Sequence, residues 1–139
     1  MHCSELCLQP FDIVAVLRVF GLAVMAILFL QSGLDKITDW KGNLGWLKGH
    51  FANSPFRNVV PALLGILTLQ EVLTGLLCLG GLGVYLVTGQ TLTAVIGLVV
   101  GLTAFVALFL GQRLAKDYAG AGGLVPYMVL NVIVLYLFR

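Results

Sequence analysis

Apolar residues occupy four long blocks of this chain, separated by short polar stretches. The blocks cover residues 11–34, 59–87, 92–110 and 123–138. A helix crosses the hydrocarbon core of a bilayer with about 20 apolar residues, which is close to the length of these blocks. The alternation typical of barrel strands is missing. The pattern therefore predicts an all-α membrane protein, a bundle of four transmembrane helices in one domain (11–139) after a short extramembrane tail (1–10).

The connection between the first two blocks has an amphipathic pattern of its own. Trp40, Leu44, Leu47 and Phe51 recur at spacings of 4, 3 and 4 residues, so they share one face of a helix. Tryptophan is enriched at membrane interfaces, and Trp46 lies in the same stretch. The pattern predicts an amphipathic interfacial helix in the first loop, acting either as a plain anchor or as the cover of a site.

The composition supports a membrane location. Hydrophobic residues make up 60% of the 139-residue chain and charged residues only 10%, whereas soluble domains carry roughly 25% charged residues. The net charge is +2 and no basic stripe is visible, so no nucleic-acid partner is expected. The lipid bilayer is the first partner that this composition predicts.

Basic residues are concentrated in two of the connections. Those of loops one and three are Lys36, Lys41, Lys48, Arg57, Arg113 and Lys116. Cytoplasmic loops carry an excess of Lys and Arg. The distribution predicts a multi-pass protein with loops one and three in the cytoplasm and both termini outside.

Besides Asp12 at the very start of the first block, two charged side chains fall inside the apolar blocks. Arg18 lies in the first block, and Glu71 lies within about 30 otherwise almost uncharged residues in the second. An acidic side chain at the centre of a membrane helix costs roughly 2.5–3.5 kcal/mol. Because the first two spans are antiparallel neighbours, we predict an Arg18–Glu71 ion pair that holds the bundle together. The alternative is a proton-titrating or polar-ligand site around Glu71.

Asn131 is the third member of this predicted intramembrane polar site. Counting along the fourth block places it at a height similar to that of Arg18. A lone Asn in a membrane helix is otherwise a hydrogen-bonding residue between helices, worth about 0.6 kcal/mol on average.

A second group of polar residues is predicted at the cytoplasmic end of the bundle. It consists of Lys36, Arg113, Lys116 and Asp117, with Trp46, His50 and Tyr127 as neighbours of a bound head group. Basic side chains at the end of the third span are explained by the helix dipole alone. The functional alternative is a pocket for an anionic or quinone head group. Gly120, Gly122 and Gly123 predict a flexible turn into the fourth span.

The cysteines and histidines give no strong chemical signal. Cys3 and Cys7 lie in the tail with His2, which gives too few ligands for a zinc site. We therefore expect unpaired thiols and no metal. The alternative is a disulfide or a metal role for these two cysteines. Cys78 is expected to be a small packing residue. Neither histidine lies in a span, so no pair of haem ligands is available there. The protein is therefore not expected to be catalytic alone.

Several segments of the chain resemble the DoxX family of small four-helix membrane proteins. They are Arg18 with residues 31–36 (QSGLDK), residues 70–75 (QEVLTG) and residues 109–120 (FLGQRLAKDYAG), together with residues 39–44 (DWKGNL). Their order and spacing carry the resemblance over nearly the whole chain. Arg18, Lys36 and Glu71 match polar positions typical of the family, and Arg113, Lys116 and Asp117 match features of a subgroup.

The resemblance implies a four-helix bundle in a prokaryotic cytoplasmic membrane, in a family named after a subunit of a thiosulfate:quinone oxidoreductase. It leads to the hypothesis of a small membrane subunit that works with a redox protein partner and binds a quinone. Two other classes stay open. One is a structural or assembly subunit of a larger membrane complex, and the other is a transporter of protons or a small solute that acts as a homo-oligomer.

Overall fold

A computed structural model describes residues 12–139, and within that range every regular element is a helix. The elements are α1 (Ile13–Thr38), α2 (Trp40–His50), α3 (Val60–Thr88), α4 (Leu92–Leu114) and α5 (Tyr118–Leu137). All except α2 are long and apolar enough to cross a membrane, so the prediction of an all-helical protein with four such helices is confirmed. The predictions for Cys3, Cys7 and the start of the first span at Phe11 lie outside the described residues.

The helix α1 continues four residues beyond the predicted end of the first span. The Asp12 side chain caps its first turn by accepting hydrogen bonds from the backbone of Val14 and Ala15. At the other end, Asp39 closes α1 with its backbone and caps α2 with its side chain, which accepts from Gly42 N. One aspartate thus makes the corner between two consecutive helices.

The predicted glycine-rich turn before the last span is wrong. Gly120, Gly122 and Gly123 all lie within α5, which begins at Tyr118. The turn is instead residues 115–117, where Lys116 adopts a left-handed φ of 61°. Asp117 then caps α5 by accepting a hydrogen bond of 2.8 Å from Gly120 N. The capping carboxylate starts the helix despite the glycines that follow, because it satisfies a backbone donor of the first turn.

The turn predicted at residues 88–91 is confirmed. The helix α3 runs unbroken through its glycines and ends at Thr88, and α4 begins at Leu92. Gly89 follows the last residue with a φ of 74°, a left-handed conformation that favours glycine.

The four long helices form a closed ring in the order α1, α3, α4, α5, with each neighbouring pair antiparallel. Small residues allow close approach between them: a Cβ at Gly81 of α3 would lie 2.6 Å from the backbone of Ala94 in α4. We call the two ends of the bundle the Lys36 end, where α1 finishes, and the Arg18 end, where it starts. The helix α2 lies at the Lys36 end.

The interior between the helices is filled mainly by aliphatic and aromatic side chains. Phe29 of α1 and Phe105 of α4 meet at the centre, with ring centroids 4.9 Å apart. The other buried residues of this central cluster are Leu22, Met25, Ala26, Cys78, Ala94, Leu98, Ala104 and Val134. Cys78 is fully buried, in agreement with its predicted packing role.

The predicted amphipathic stretch in the first loop forms the helix α2. Trp40, Leu44, Leu47 and Phe51 are all half-buried, whereas Lys41 is exposed. The apolar face therefore packs towards the bundle, chiefly against α3.

Candidate functional site

Glu71 is buried inside the bundle, where its carboxylate is held by two side chains of α1. Its side chain is only 2% exposed, and its Oε2 lies 2.8 Å from Nζ of Lys36. Ser32 Oγ donates a hydrogen bond of 3.1 Å to the other carboxylate oxygen, Oε1. The contact between Nζ and Oε2 is an ion pair whose geometry is not that of a hydrogen bond. We call these three residues the Lys36–Ser32–Glu71 cluster.

Helical spacing on α1 prepares this arrangement. Ser32 and Lys36 are four residues apart, so their side chains lie one above the other. Lys36 Nζ donates to Ser32 Oγ at 2.8 Å and to the Ser32 carbonyl at 3.2 Å. The Lys36 side chain is 16% exposed, so the cluster reaches from the surface at the Lys36 end to a carboxylate that is fully enclosed.

The cluster offsets the cost of a charge inside the bundle. An unpaired carboxylate removed from water is strongly unfavourable, and a close ammonium with added hydrogen bonds compensates for it. Hydroxyl and ammonium groups in a hydrogen-bonded series can also pass a proton, so the same geometry can serve structure or proton transfer.

The predicted Arg18–Glu71 pair is wrong. Arg18 Nε donates to the carbonyl of Leu137 at 2.7 Å, and its Nη1 lies 3.4 Å from the Tyr85 hydroxyl. The guanidinium also lies 5.3 Å from the ring centroid of Phe138. The antiparallel register of α1 and α3 sets Arg18 beside Tyr85, at the opposite end of the bundle from the Lys36–Ser32–Glu71 cluster.

Asn131 is fully buried where all four long helices meet. Neither of its side-chain polar atoms has a hydrogen-bond partner among the described residues. A Cβ at Gly101 would lie 2.8 Å from Asn131 Nδ2 and 3.0 Å from both Phe29 and Thr74. The amide is thus packed tightly against glycine and lacks the hydrogen bonds that buried polar groups normally make.

The predicted height of Asn131 is also wrong. Arg18 binds the carbonyl of Leu137, which follows Asn131 by six residues on α5, or about 9 Å along the helix. Asn131 and Thr74 instead both lie within 3.0 Å of the position that a Cβ at Gly101 would take, which places Asn131 about one helical turn from Glu71. Of the three residues predicted to form the intramembrane polar site, the structure brings Asn131 near Glu71 and leaves Arg18 apart.

A groove runs along the bundle between α1 and α5 on the lipid-facing side. Its volume is about 430 Å³. The residues that line it are Val24, Ile27, Leu28, Gln31, Ser32, Asp35 and Tyr127. Ser32 is therefore shared between the groove and the Lys36–Ser32–Glu71 cluster. We call this space the α1–α5 groove.

A second space lies on another side of the bundle, between α2, α3 and α4. It has a volume of about 300 Å³, and its lining is almost entirely apolar. Gln70 lies at one end and Gln112 at the other. We call this space the α3–α4 slot.

The residues predicted around a head group separate into two places. His50 Nε2 lies 2.9 Å from Gln112 Oε1 and 3.6 Å from Asp117 Oδ2. Trp46 stacks on the His50 ring with centroids 4.5 Å apart. These residues gather at the Gln112 end of the slot, whereas Tyr127 lines the α1–α5 groove.

The predicted cluster at the cytoplasmic end is not one site. Lys36 pairs with Glu71, and Arg113 lies over the ring of Tyr118, 4.6 Å from its centroid. Lys116 occupies the exposed turn, and Asp117 caps α5 near His50. Within residues 12–139, no three His, Cys, Asp or Glu side chains come together as metal ligands.

Sequence reasoning missed three residues that the geometry brings forward. Ser32 shares a helix face with Lys36, which was visible in the spacing, but nothing in the sequence showed that Glu71 would face it. Gln31 is polar within an apolar block and begins the segment QSGLDK, but nothing in the sequence showed that it would line a groove with Tyr127. Gln112 becomes notable only because α2 folds back and brings His50 to it.

Comparisons with models of protein families, with curated proteins and with solved structures find no match to this chain.

Proposed function

We propose that this protein is a small integral membrane subunit, accessory to a quinone-linked redox system, and that it binds the quinone ring in the α1–α5 groove. One observation carries the proposal: the Lys36–Ser32–Glu71 cluster opens through Ser32 into a lipid-facing groove that also holds other polar side chains. Membership of the DoxX family stays a prediction from the resemblance.

The groove has the chemistry that a quinone requires. A quinone ring presents carbonyl oxygens that accept hydrogen bonds, and its isoprenoid tail is apolar. The Gln31 amide and the Tyr127 hydroxyl are hydrogen-bond donors in the lining of the groove. Val24 and Ile27 give an apolar surface for the tail at the other end.

The cluster supplies a route for protons. Reduction of a bound quinone takes two electrons, which the redox partner would deliver, and two protons, which bind to the ring oxygens. Lys36 reaches the surface, and Ser32 links it to Glu71. In this proposal, protons reach the quinone from the Lys36 end, and the chain does not itself oxidise a substrate.

The placement in the membrane follows from charge. We propose that the Lys36 end faces the cytoplasm of a prokaryotic cell, with both termini outside, because the basic loops lie at that end. The helix α2 would then lie at the interface, with Lys41 and Lys48 towards water and Trp46 at the head-group level. A redox partner would dock on this face.

The test is native mass spectrometry of gently extracted protein, with quinones identified and quantified in the same sample. We expect to find bound quinone. We also expect Tyr127→Phe to bind added quinone roughly tenfold more weakly, because losing one hydrogen bond of about 1.4 kcal/mol lowers the affinity by that factor. Tyr136→Phe is the matched control, since that hydroxyl contacts only Arg139 at the other end. Absence of quinone in the wild-type protein, or equal affinity in both variants, would sink the proposal.

A structural or assembly role is the second candidate, and one observation favours it. Every charge of the Lys36–Ser32–Glu71 cluster is compensated inside the chain, as in a buried ion pair that holds two helices together. A quinone site predicts that Glu71→Gln lowers redox activity of the assembled system, whereas a structural role predicts unchanged activity in whatever protein remains folded.

A proton transporter formed by one bundle has less support. Between Asn131 and Arg18 the described interior contains only apolar side chains and a thiol: Leu22, Met25, Cys78, Leu98 and Val134. This layer is about two helical turns thick and would have to open for a proton to cross.

A further inference from the structure

The α3–α4 slot lies away from the α1–α5 groove and has the dimensions of a single hydrocarbon chain. Along α3 it extends from Val60 to Gln70, which is about 15 Å at 1.5 Å per residue. Its walls are Leu47, Phe51, Phe56, Leu63, Leu64, Ile66, Leu67, Ala107, Leu108 and Leu110. A volume of about 300 Å³ is at the lower end for ligand pockets and leaves room for one chain rather than two.

The two ends of the slot differ. At the inner end, Gln70 Nε2 donates to Thr103 Oγ1 at 2.6 Å and lies 3.4 Å from the Val100 carbonyl, so this amide donor is already used. At the outer end, Gln112 lines the slot and its Oε1 faces His50. The inner end is therefore closed, because its amide donor is already bound. The outer end is an opening with polar groups beside it, and we call it the mouth.

Exposed basic residues adjoin the lining of the slot in the sequence. Lys48, Arg57 and Arg113 directly follow the lining residues Leu47, Phe56 and Gln112, and Lys116 lies in the turn after α4. The acidic side chain there, Asp117, accepts a hydrogen bond from Gly120 N as a helix cap and lies 3.6 Å from His50 Nε2, and the four basic residues outnumber it. The slot thus combines an apolar interior with a basic rim, which is complementary to an amphiphile with an anionic head.

We propose that the α3–α4 slot binds a long-chain fatty acid, with the carboxylate at the His50–Gln112 mouth and the chain running towards Gln70. Leu47 of α2 and Phe51, the residue that follows the helix, form one wall, so α2 acts as the cover of the site. Exposed Leu63, Ile66 and Leu110 form the lipid-facing rim through which the chain enters. This inference is independent of quinone binding in the α1–α5 groove.

Fluorescence quenching tests the site and its polarity. Trp46 stacks on His50 at the mouth, so the Trp40→Phe protein in phosphatidylcholine nanodiscs has its single tryptophan there. The probe is octadecanoate with a nitroxide quencher at carbon 5 or carbon 16. We expect saturable quenching that is stronger for the carbon-5 probe. Quenching that rises linearly with probe concentration, or that is stronger for carbon 16, would overturn the proposal.

A matched pair of variants ties the signal to the slot. Ala107→Phe fills it, and we expect the saturable quenching to disappear. Ala62→Phe places the same side chain on an exposed position of α3 that does not line the slot, and we expect no change. Equal binding in the two variants, both checked for folding by size-exclusion chromatography, would contradict the assignment.

Competition identifies the head and the chain without relying on a variant. Unlabelled hexadecanoate should displace the probe at least ten times more effectively than hexadecanol, which has the same chain and no charge. Equal displacement by the two would exclude recognition of the carboxylate. Displacement by an added isoprenoid quinone at lower concentration than hexadecanoate would assign the slot to the quinone instead.

Discussion

Glu71 in one half of the bundle and Arg18 in the other are accommodated in different ways. Glu71 has a charged counter-ion, Lys36, and a hydroxyl donor, Ser32. Arg18 has no acidic partner among the described residues and is held by the carbonyl of Leu137 and by aromatic rings. The ion pair with Lys36 neutralises the charge of Glu71, whereas the contacts of Arg18 leave its positive charge without a counter-ion among the described residues.

Exposure explains the difference. The Glu71 side chain is only 2% exposed, so its charge requires a counter-ion within the protein. Arg18 is half-buried near a helix end, where a long side chain can keep its charged head towards water. We therefore expect the stability of the bundle to depend strongly on the partner of Glu71 and more weakly on the contacts of Arg18.

Removing Lys36 should have the most severe effect. In Lys36→Met, Glu71 stays buried without its counter-ion, and we expect the free energy of unfolding to fall by about 3–5 kcal/mol. Unfolding in mixed micelles with increasing sodium dodecyl sulfate measures this. Lys41→Met, on the exposed face of α2, is the control and should change stability by no more than about 0.5 kcal/mol.

Double variants show which charges are coupled. The effects of Lys36→Met and Glu71→Gln should be non-additive, because each removes the same ion pair, whereas those of Arg18→Met and Glu71→Gln should add within about 0.5 kcal/mol. Coupling between Arg18 and Glu71 would restore the pairing that the structure contradicts.

Removing Arg18 should have an intermediate effect. Arg18→Met loses hydrogen bonds from a charged group, so we expect the free energy of unfolding to fall by about 1.5–3 kcal/mol in the same assay. Arg139→Met is a control, since Arg139 is exposed and contacts only the Tyr136 ring and hydroxyl. A loss as large as that of Lys36→Met would mean that Arg18 also neutralises a buried charge.

Ser32→Ala should cost less than the loss of Lys36. Glu71 Oε1 loses its donor while the ammonium remains, and we expect a fall in the free energy of unfolding of about 1–2 kcal/mol. Ser32→Thr keeps a hydroxyl on the same helix position and should recover part of this loss. If Ser32→Ala and Ser32→Thr destabilise equally, packing rather than the hydrogen bond explains the effect.

Asn131→Leu should have the smallest effect. Because the amide makes no hydrogen bond among residues 12–139, replacing it with an apolar side chain of similar size should change the free energy of unfolding by no more than about 1 kcal/mol, in the stabilising direction. A thermal-shift assay in detergent is sufficient to detect the sign. Destabilisation above about 2 kcal/mol would show that a water molecule or ligand satisfies this amide.

The sequence predicted the elements better than the contacts between them. The hydrophobic pattern located four spans and the amphipathic loop helix, because burial in a bilayer requires long apolar runs. The helical spacing of Arg18, Ser32 and Lys36 also sets them on one face of α1. The sequence did not show which end of that face would contact Glu71. The helix α3 has 29 residues, so its depth in the membrane can shift by several of them.

Close packing of small residues fixed that register. A Cβ at Gly75 would lie 2.8 Å from the backbone nitrogen of Leu30, and Gly33 is packed against Val72. These contacts set α1 and α3 so that Glu71 faces Ser32. Glycines are frequent in membrane helices, so their number alone did not reveal which pairs would meet.

The α1–α5 groove and the α3–α4 slot could not be predicted from the sequence either, because both depend on which helices are neighbours. Tyr127 was predicted with Trp46 and His50 as a neighbour of a bound head group, but the ring order of the helices sets Tyr127 beside α1. The α3–α4 slot exists because α2 folds back over the bundle, and the sequence predicted the apolar face of α2 without showing what it would cover.

The order of synthesis gives the Lys36–Ser32–Glu71 cluster a consequence for membrane insertion. The ribosome completes α1 before α3, and the most apolar stretch of α1 has the higher mean hydropathy, 2.7 against 1.9 in α3. The counter-ion of Glu71 is therefore already in place when α3 leaves the translocon. We expect α1 to insert alone, whereas α3 depends on α1 for efficient entry into the bilayer.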